Sequence, residues 1–65
     1  MTSGDKIEIG WDCQAMDTNS FRTVFLKAGH KVEFLHDGAD QDGFDNEIIV
    51  ETANGQTLAI NRNNI

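Results

Sequence analysis

The sequence has no proline, no tyrosine and a single cysteine, Cys13. With one thiol the 65-residue chain forms no internal disulfide, so its apolar core or self-association must stabilise it. The longest apolar runs span three residues, and a membrane-spanning helix needs about 20. We therefore expect no membrane segment, and the unpaired thiol favours a reducing cytoplasm.

Basic residues are also scarce, with five Lys and Arg against 11 Asp and Glu and a net charge of −6. Proteins that bind nucleic acid through its phosphates normally present a clustered basic face. Five cations under this excess of carboxylates make nucleic acid a less favoured partner than a protein with a basic surface. The simplest alternative is that the acidity only keeps the protein soluble.

Apolar and polar residues alternate along most of the chain, which predicts strands and no helix. Trp11 ends the first alternating run, so we expect its side chain in the core. The Asn54-Gly55 pair between two apolar runs predicts a type I′ hairpin turn, and Gly29 is expected at positive φ in another turn. Residues 12–20 are expected to form a loop and 61–65 a single turn. The predicted strands cover residues 6–11, 21–26, 31–35, 47–52 and 57–60.

Five short strands predict one all-β domain over residues 1–65, a small five-stranded barrel with a long acidic loop between strands 3 and 4. An SH3-like arrangement is preferred over an OB-like one, because the chain is short for an OB-fold and no helix is predicted between the third and fourth strands. The run Ala28–Phe34 resembles the glycine-led strand opening of cold-shock and other nucleic-acid-binding barrels. The aromatic, glycine-rich RNA-binding strand of cold-shock proteins is absent, so their function is not implied.

The acidic loop is the most unusual segment and is a candidate metal site, because hard cations favour clustered carboxylates. Asp40–Gly43 matches the middle of an EF-hand loop. The first and twelfth positions of such a loop would be Gly38 and Ile49, which supply no carboxylate. We therefore expect a solvated acidic loop and no metal. The carboxylates of this region are at positions 37, 40, 42, 45, 47 and 51, with no Lys or Arg among them.

The softer metal ligands are Cys13, His30 and His36, and their spacing matches no zinc site. A cysteine and a histidine could in principle form a nucleophile and base pair. Such a pair needs a pocket that excludes water, which so small a barrel does not offer. We expect no cofactor and no enzymatic activity.

The leading functional hypothesis is a non-enzymatic protein-binding module, a regulator or inhibitor that presents a carboxylate-rich surface to a basic protein. An aromatic side chain in the acidic loop, Phe44, could anchor the partner through a pocket, or it could fold back over the core. The candidate partner-binding residues are Asp37, Asp40, Asp42, Phe44, Asp45 and Glu47.

Two alternatives stay open. The first is a small-barrel nucleic-acid binder in which aromatic side chains stack on bases within a cationic rim. The second is a structural or assembly subunit, including a homo-oligomer, that pairs sheet edges with another chain. The first alternative would use Trp11, Phe21, Phe25 and Phe44 for stacking and Arg22, Lys27, Lys31 and Arg62 for the rim.

Overall fold

Six antiparallel strands form one sheet in the computed structural model, which describes residues 2–38 and 46–64. The sheet has the order β1-β4-β5-β6-β2-β3 and is open, with β1 and β3 at its edges. Arg62–Asn64 forms a single 3₁₀ turn. The described ranges contain no α-helix, so the all-β prediction is confirmed and the count of five strands is wrong. The strands are β1 (Lys6–Glu8), β2 (Cys13–Asp17), β3 (Thr23–Leu26), β4 (Lys31–Asp37), β5 (Glu47–Glu51) and β6 (Thr57–Asn61).

The additional strand is β2, which lies where a loop over residues 12–20 was predicted. β2 pairs with β3 on one side and with β6 on the other, so it is an interior strand of the sheet. Its inward residues are small: Ala15 is buried and Cys13 is half-buried. Gln14 and Met16 point to the exposed face. Two small inward side chains among polar neighbours give a weak alternation, which explains the error.

The core fills one face of the sheet. Alternate residues of β4, β5 and β6 are buried there, including the predicted inward residues Val32, Phe34, Leu58 and Ile60. A β-bulge between Phe34 and His36 shifts the register of β4 against β5. On the other face a second, small cluster is formed by Ile49 and Ala59, with Leu35 packed against it. Both faces of β5 are therefore apolar at its centre. The main cluster comprises Ile9, Ala15, Leu26, Val32, Phe34, Ile48, Val50, Leu58 and Ile60.

The β5–β6 turn is not the predicted type I′ turn. Gly55 has φ +85°, whereas Asn54 is not among the residues with positive φ. The backbone N–H of Gly55 donates to the carbonyl of Thr52 at 3.0 Å, and the N–H of Thr52 donates to the carbonyl of Gln56 at 2.9 Å. This pattern is that of a three-residue loop, in which a type I turn is followed by a glycine in the left-handed region. The positive φ predicted for Gly29 is confirmed at +87°.

A corner at residues 9–12 separates β1 from β2. Because of this corner, the prediction that Trp11 lies in the core is wrong. Ile9 is fully buried and exchanges backbone hydrogen bonds with the turn at Gly29 and His30. The chain then bends, and the Trp11 side chain is 54% exposed instead of lying in the core. The strand ends at Glu8 and not at residue 11, so the alternation no longer governs where Trp11 points.

No helix in the described part of the chain is long and apolar enough to cross a membrane.

Candidate functional site

Two of the six predicted partner-binding residues lie in the described part of the chain. Asp37 ends β4 and Glu47 begins β5, and these strands are antiparallel neighbours. Asp37 has Ile48 as its Cα partner, so Asp37 and Glu47 flank the two ends of the predicted acidic loop on adjacent strands. Asp40, Asp42, Phe44 and Asp45 lie outside the described residues.

Asp37 is engaged by a cation. The Arg62 guanidinium donates a hydrogen bond to its carboxylate Oδ1 and forms an ion pair with it. The hydrogen bond to Asp37 is the main cause that raises the pKa of Arg62. The same two residues line a depression beside Phe34 and Ile48. The ion pair therefore lies over one end of the core, and it joins the end of β4 to the 3₁₀ turn.

Glu47 belongs to a group of carboxylates on the face of β5 that points away from the main core. Ile48 and Val50 are in the main cluster, so Glu47 and Glu51 share the opposite face. Glu51 lies directly across from Glu33 of β4. A salt bridge of 3.0 Å from Lys6 Nζ to Oε1 of Glu33 offsets one of these two charges. Within residues 2–38 and 46–64, Glu51 forms no ion pair, so this face keeps a net negative charge.

Exposed aromatic side chains form the second notable feature. Trp11, Phe21 and Phe25 are 54%, 67% and 74% exposed. Phe25 lies in β3 directly across from Gln14 of β2, on the face opposite the buried Leu26. Single exposed apolar residues are common on protein surfaces, but aromatic rings this exposed are available for stacking. Three of the four stacking residues of the nucleic-acid alternative are therefore accessible, and the fourth, Phe44, lies outside the described residues.

Phe21 is held in an unusual backbone conformation. Its φ is +58°, and it is the only non-glycine residue of the described ranges with positive φ. Its N–H donates to the carbonyl of Asp17 at 2.8 Å, and the N–H of Asp17 donates to the carbonyl of Arg22 at 2.9 Å. These two bonds close the β2–β3 turn and fix Phe21 at a position where glycine or asparagine is usual.

Among the described residues, no hydrogen bond joins Cys13 to His30 or His36. Burial, and then the nearby Asp12 carboxylate, raise the pKa of the Cys13 thiol, so the thiol is protonated at neutral pH and is a weak nucleophile. Nδ1 of His36 lies 3.0 Å from the carbonyl oxygen of Asp37. The described residues contain no group of three or more His, Cys, Asp or Glu that could hold a metal ion.

Compared with protein-family models, with curated proteins and with solved structures, the chain shows no match.

Proposed function

We propose that this protein is a non-enzymatic binding module whose acidic surface, built around the β4–β5 connection, docks on a basic surface of another protein. The observation that carries the proposal is the placement of Asp37 and Glu47 on adjacent strands, at the two ends of a segment that adds three more aspartates. The face of β5 with Glu47 and Glu51 extends the negative charge along the sheet. Complementary charge speeds encounter and fixes orientation between partners.

We also propose that the open sheet curls into an SH3-like barrel, with OB-like as the alternative. The corner at residues 9–12 supports this, because it lets one N-terminal segment pair with β4 and then with β6. The backbone N–H of Gly10 also donates to the carbonyl of Asn64 at 3.4 Å, which brings the corner to the 3₁₀ turn. A cytoplasmic location, where a lone thiol stays reduced, is part of the same proposal.

The acidic surface is tested with a triple variant, D40N/D42N/D45N. A matched control, D5N/E8Q/D12N, removes the same charge from the N-terminal segment and keeps the oxygen atoms that accept hydrogen bonds from Thr2 and Ala28. The probe is a poly-L-lysine peptide of about 20 residues, titrated at several salt concentrations. Contacts between oppositely charged surfaces weaken as salt screens them.

We expect the acidic-loop variant to bind the probe more weakly and with less salt dependence than the parent, and the control to resemble the parent. Equal losses in both variants would mean that net charge alone attracts the probe, and the proposal of a localised surface would be wrong. The identity of the natural partner then follows from a pull-down with the parent and the triple variant side by side.

The exposed Trp11, Phe21 and Phe25 favour a second candidate function, the binding of single-stranded nucleic acid. Stacking of bases on aromatic side chains tolerates any sequence and contributes about 1–3 kcal/mol per base. Arg22 and Lys27 flank the strand that carries Phe25. An oligothymidine of about 20 nucleotides is the probe, read by quenching of Trp11 fluorescence. Tighter binding of oligothymidine by D40N/D42N/D45N, with poly-lysine binding unchanged, would favour this function over the first.

A further inference from the structure

The free edge of the sheet at β3 is not occupied by any described part of the chain. β3 is the last strand in the sheet order and pairs only with β2 among the described strands. The N–H of Asp17 donates to the carbonyl of Arg22, which fixes the alternation of hydrogen-bonded pairs along this hairpin. By that alternation Val24 and Leu26 bond to β2, and the N–H and C=O groups of Thr23 and Phe25 point away from it. The edge therefore offers two donors and two acceptors to a further strand.

A groove runs beside this edge. Its volume is about 270 Å³, and it is lined by β3, by His30 and by the β5–β6 turn. Of the described residues, no Asp, Glu, Lys or Arg lines it. Phe25, the most exposed large apolar side chain of the described residues, forms part of the wall. An edge strand next to an uncharged groove is the arrangement in which an extended peptide adds a strand and places alternate side chains in pockets.

The segment that carries this edge has a charge opposite to that of the whole chain. Residues 18–32 include Arg22, Lys27 and Lys31 and contain no Asp or Glu, although the whole chain has 11 of them. Arg22 directly precedes β3 and Lys27 directly follows it. On the β2 side, Asp17 lies across from Arg22 and Asp12 lies beside Lys27, but neither cation forms an ion pair within the described residues. A strand that pairs with β3 from the other side therefore meets a cation at each of its ends.

We propose that the β3 edge binds an extended segment of a partner protein as a seventh strand, and that this segment carries carboxylates at both ends of a short apolar stretch. Its main chain bonds to Thr23 and Phe25, and its carboxylates pair with Arg22 and Lys27. A second copy of this chain fits the edge poorly. Antiparallel pairing of two β3 strands about their centre brings Arg22 of each copy within about one position of Lys27 of the other, and like charges so placed repel.

This inference goes beyond the proposed function, because it concerns a different surface and a partner of opposite charge. The variant D40N/D42N/D45N leaves every residue of the β3 edge in place. Failure of the acidic-surface proposal and failure of this one are therefore separate outcomes.

The test uses the full chain labelled with ¹⁵N and the acetylated, amidated peptide Glu-Val-Thr-Val-Thr-Glu, with binding followed by amide chemical shifts. We expect the largest shifts at Thr23 and Phe25, and slower hydrogen exchange of both amides. Two further peptides are tested, one with N-methyl groups on both valines and one with N-methyl groups on both threonines. Each therefore lacks the backbone N–H donors along one of its two edges. One of these two peptides should lose binding and the other should keep it, because only one edge of the added strand faces β3.

Charge is tested by the double variant R22E/K27E. We expect it to bind the glutamate peptide about tenfold more weakly and to bind the same peptide with lysine at both ends more tightly than the parent does. A second variant, T23P, removes the backbone N–H of residue 23, which points away from β2, and breaks no hydrogen bond to β2. Its control is T23V, which keeps this N–H. T23P should weaken peptide binding, and T23V should not.

The proposal would be overturned by no shifts up to about 5 mM peptide, by shifts confined to the Asp37 and Glu47 region, or by equal behaviour of the two methylated peptides. Shifts of Thr23 and Phe25 by oligothymidine in the absence of any response to the peptide would also overturn it, and would assign this edge to nucleic acid.

Discussion

The indole Nε1 of Trp11 donates a 3.0 Å hydrogen bond to Oδ1 of Asn64, while 54% of the Trp11 side chain remains exposed. The backbone of the preceding residue, Gly10, bonds to the carbonyl of the same asparagine. Trp11 thus attaches the corner between β1 and β2 to the 3₁₀ turn without entering the core.

The first prediction follows from this exposure. We expect native Trp11 fluorescence to be red-shifted and readily quenched by acrylamide. Trp11→Phe should lower the free energy of unfolding by about 1 kcal/mol or less, since it removes one exposed hydrogen bond. Leu58→Ala, a fully buried reference, should cost about 2–5 kcal/mol. Urea melts measure both, and a blue-shifted emission together with equal costs would place Trp11 in the core.

The second prediction separates Asn54 from Gly55. Gly55 has φ +85° with no atom within 4 Å of the position a β-carbon would occupy, so the cost of a side chain there is conformational. We expect Gly55→Ala to destabilise the domain by about 1 kcal/mol. Asn54→Ala should cost less, because its backbone is not at positive φ and, within the described residues, its side chain makes one hydrogen bond, accepted from the Thr52 hydroxyl. Equal shifts of the urea midpoint in the two variants would contradict the three-residue loop and favour a type I′ turn.

The third prediction concerns the strained backbone of Phe21. Asparagine tolerates positive φ better than phenylalanine, and Phe21 is 67% exposed, so little burial is lost on replacement. Phe21→Asn should therefore raise the free energy of unfolding, by up to about 1 kcal/mol. The control is Phe25→Asn, an exposed position in regular β conformation, where no gain is expected. A lower thermal midpoint for Phe21→Asn would show that the ring makes a stabilising contact.

The fourth prediction concerns the pH dependence of the β2–β3 turn. The Gln56 amide donates to Oδ2 of Asp17 at 2.9 Å, and the N–H groups of Asn19 and Ser20 donate to Oδ1 at 2.7 and 3.0 Å. These bonds, that of Gln56 first, lower the pKa of Asp17 below its ordinary value of 3.8. A carboxyl whose pKa is lowered by folding stabilises the folded state above its unfolded value. That contribution is lost as the pH falls below about 4 towards the folded pKa.

An NMR titration of the Asp17 carboxyl checks this prediction. The expected result is a pKa below 3.8 in the parent and a higher one in Gln56→Ala, since the first cause of the shift has been removed. The same titration in Gln14→Ala is the control, because Gln14 lies in the same strand and does not bond to Asp17. An unchanged pKa in Gln56→Ala would assign the shift to the backbone donors alone.

Local alternation was sufficient to locate β3, β4, β5 and β6, because their buried side chains are large. It failed for β2, where the inward Ala15 is small, and for Trp11, where a corner interrupts the strand. The inward side of β3 was ambiguous from sequence, since aromatic and aliphatic residues compete. In the structure Leu26 pairs with Cys13 and is buried, whereas Phe25 is exposed, so the aliphatic residues of β3 face the core.

The candidate sites depended on information that the local pattern lacks. The acidic loop was visible as a run of carboxylates, but the ion pair of Asp37 joins residues 25 positions apart. The free edge of β3 follows from the strand order, which no local periodicity encodes. One signal was present in the sequence: the stretch 18–32 has cations and no carboxylate, and a window of charge along the chain would have revealed it.

The pairing of β2 with β6 makes one part of the sheet depend on residues that are far apart in the chain. Met16 and Ala59 are Cα partners 43 positions apart, whereas β2 and β3 are joined by one short turn. The ribosome therefore completes the β2–β3 hairpin well before it adds β6. Because the β2–β3 contacts are local and the β2–β6 contacts are not, we expect the hairpin to form before β6 pairs with it, and until then both of its outer edges are unpaired templates for association with other chains.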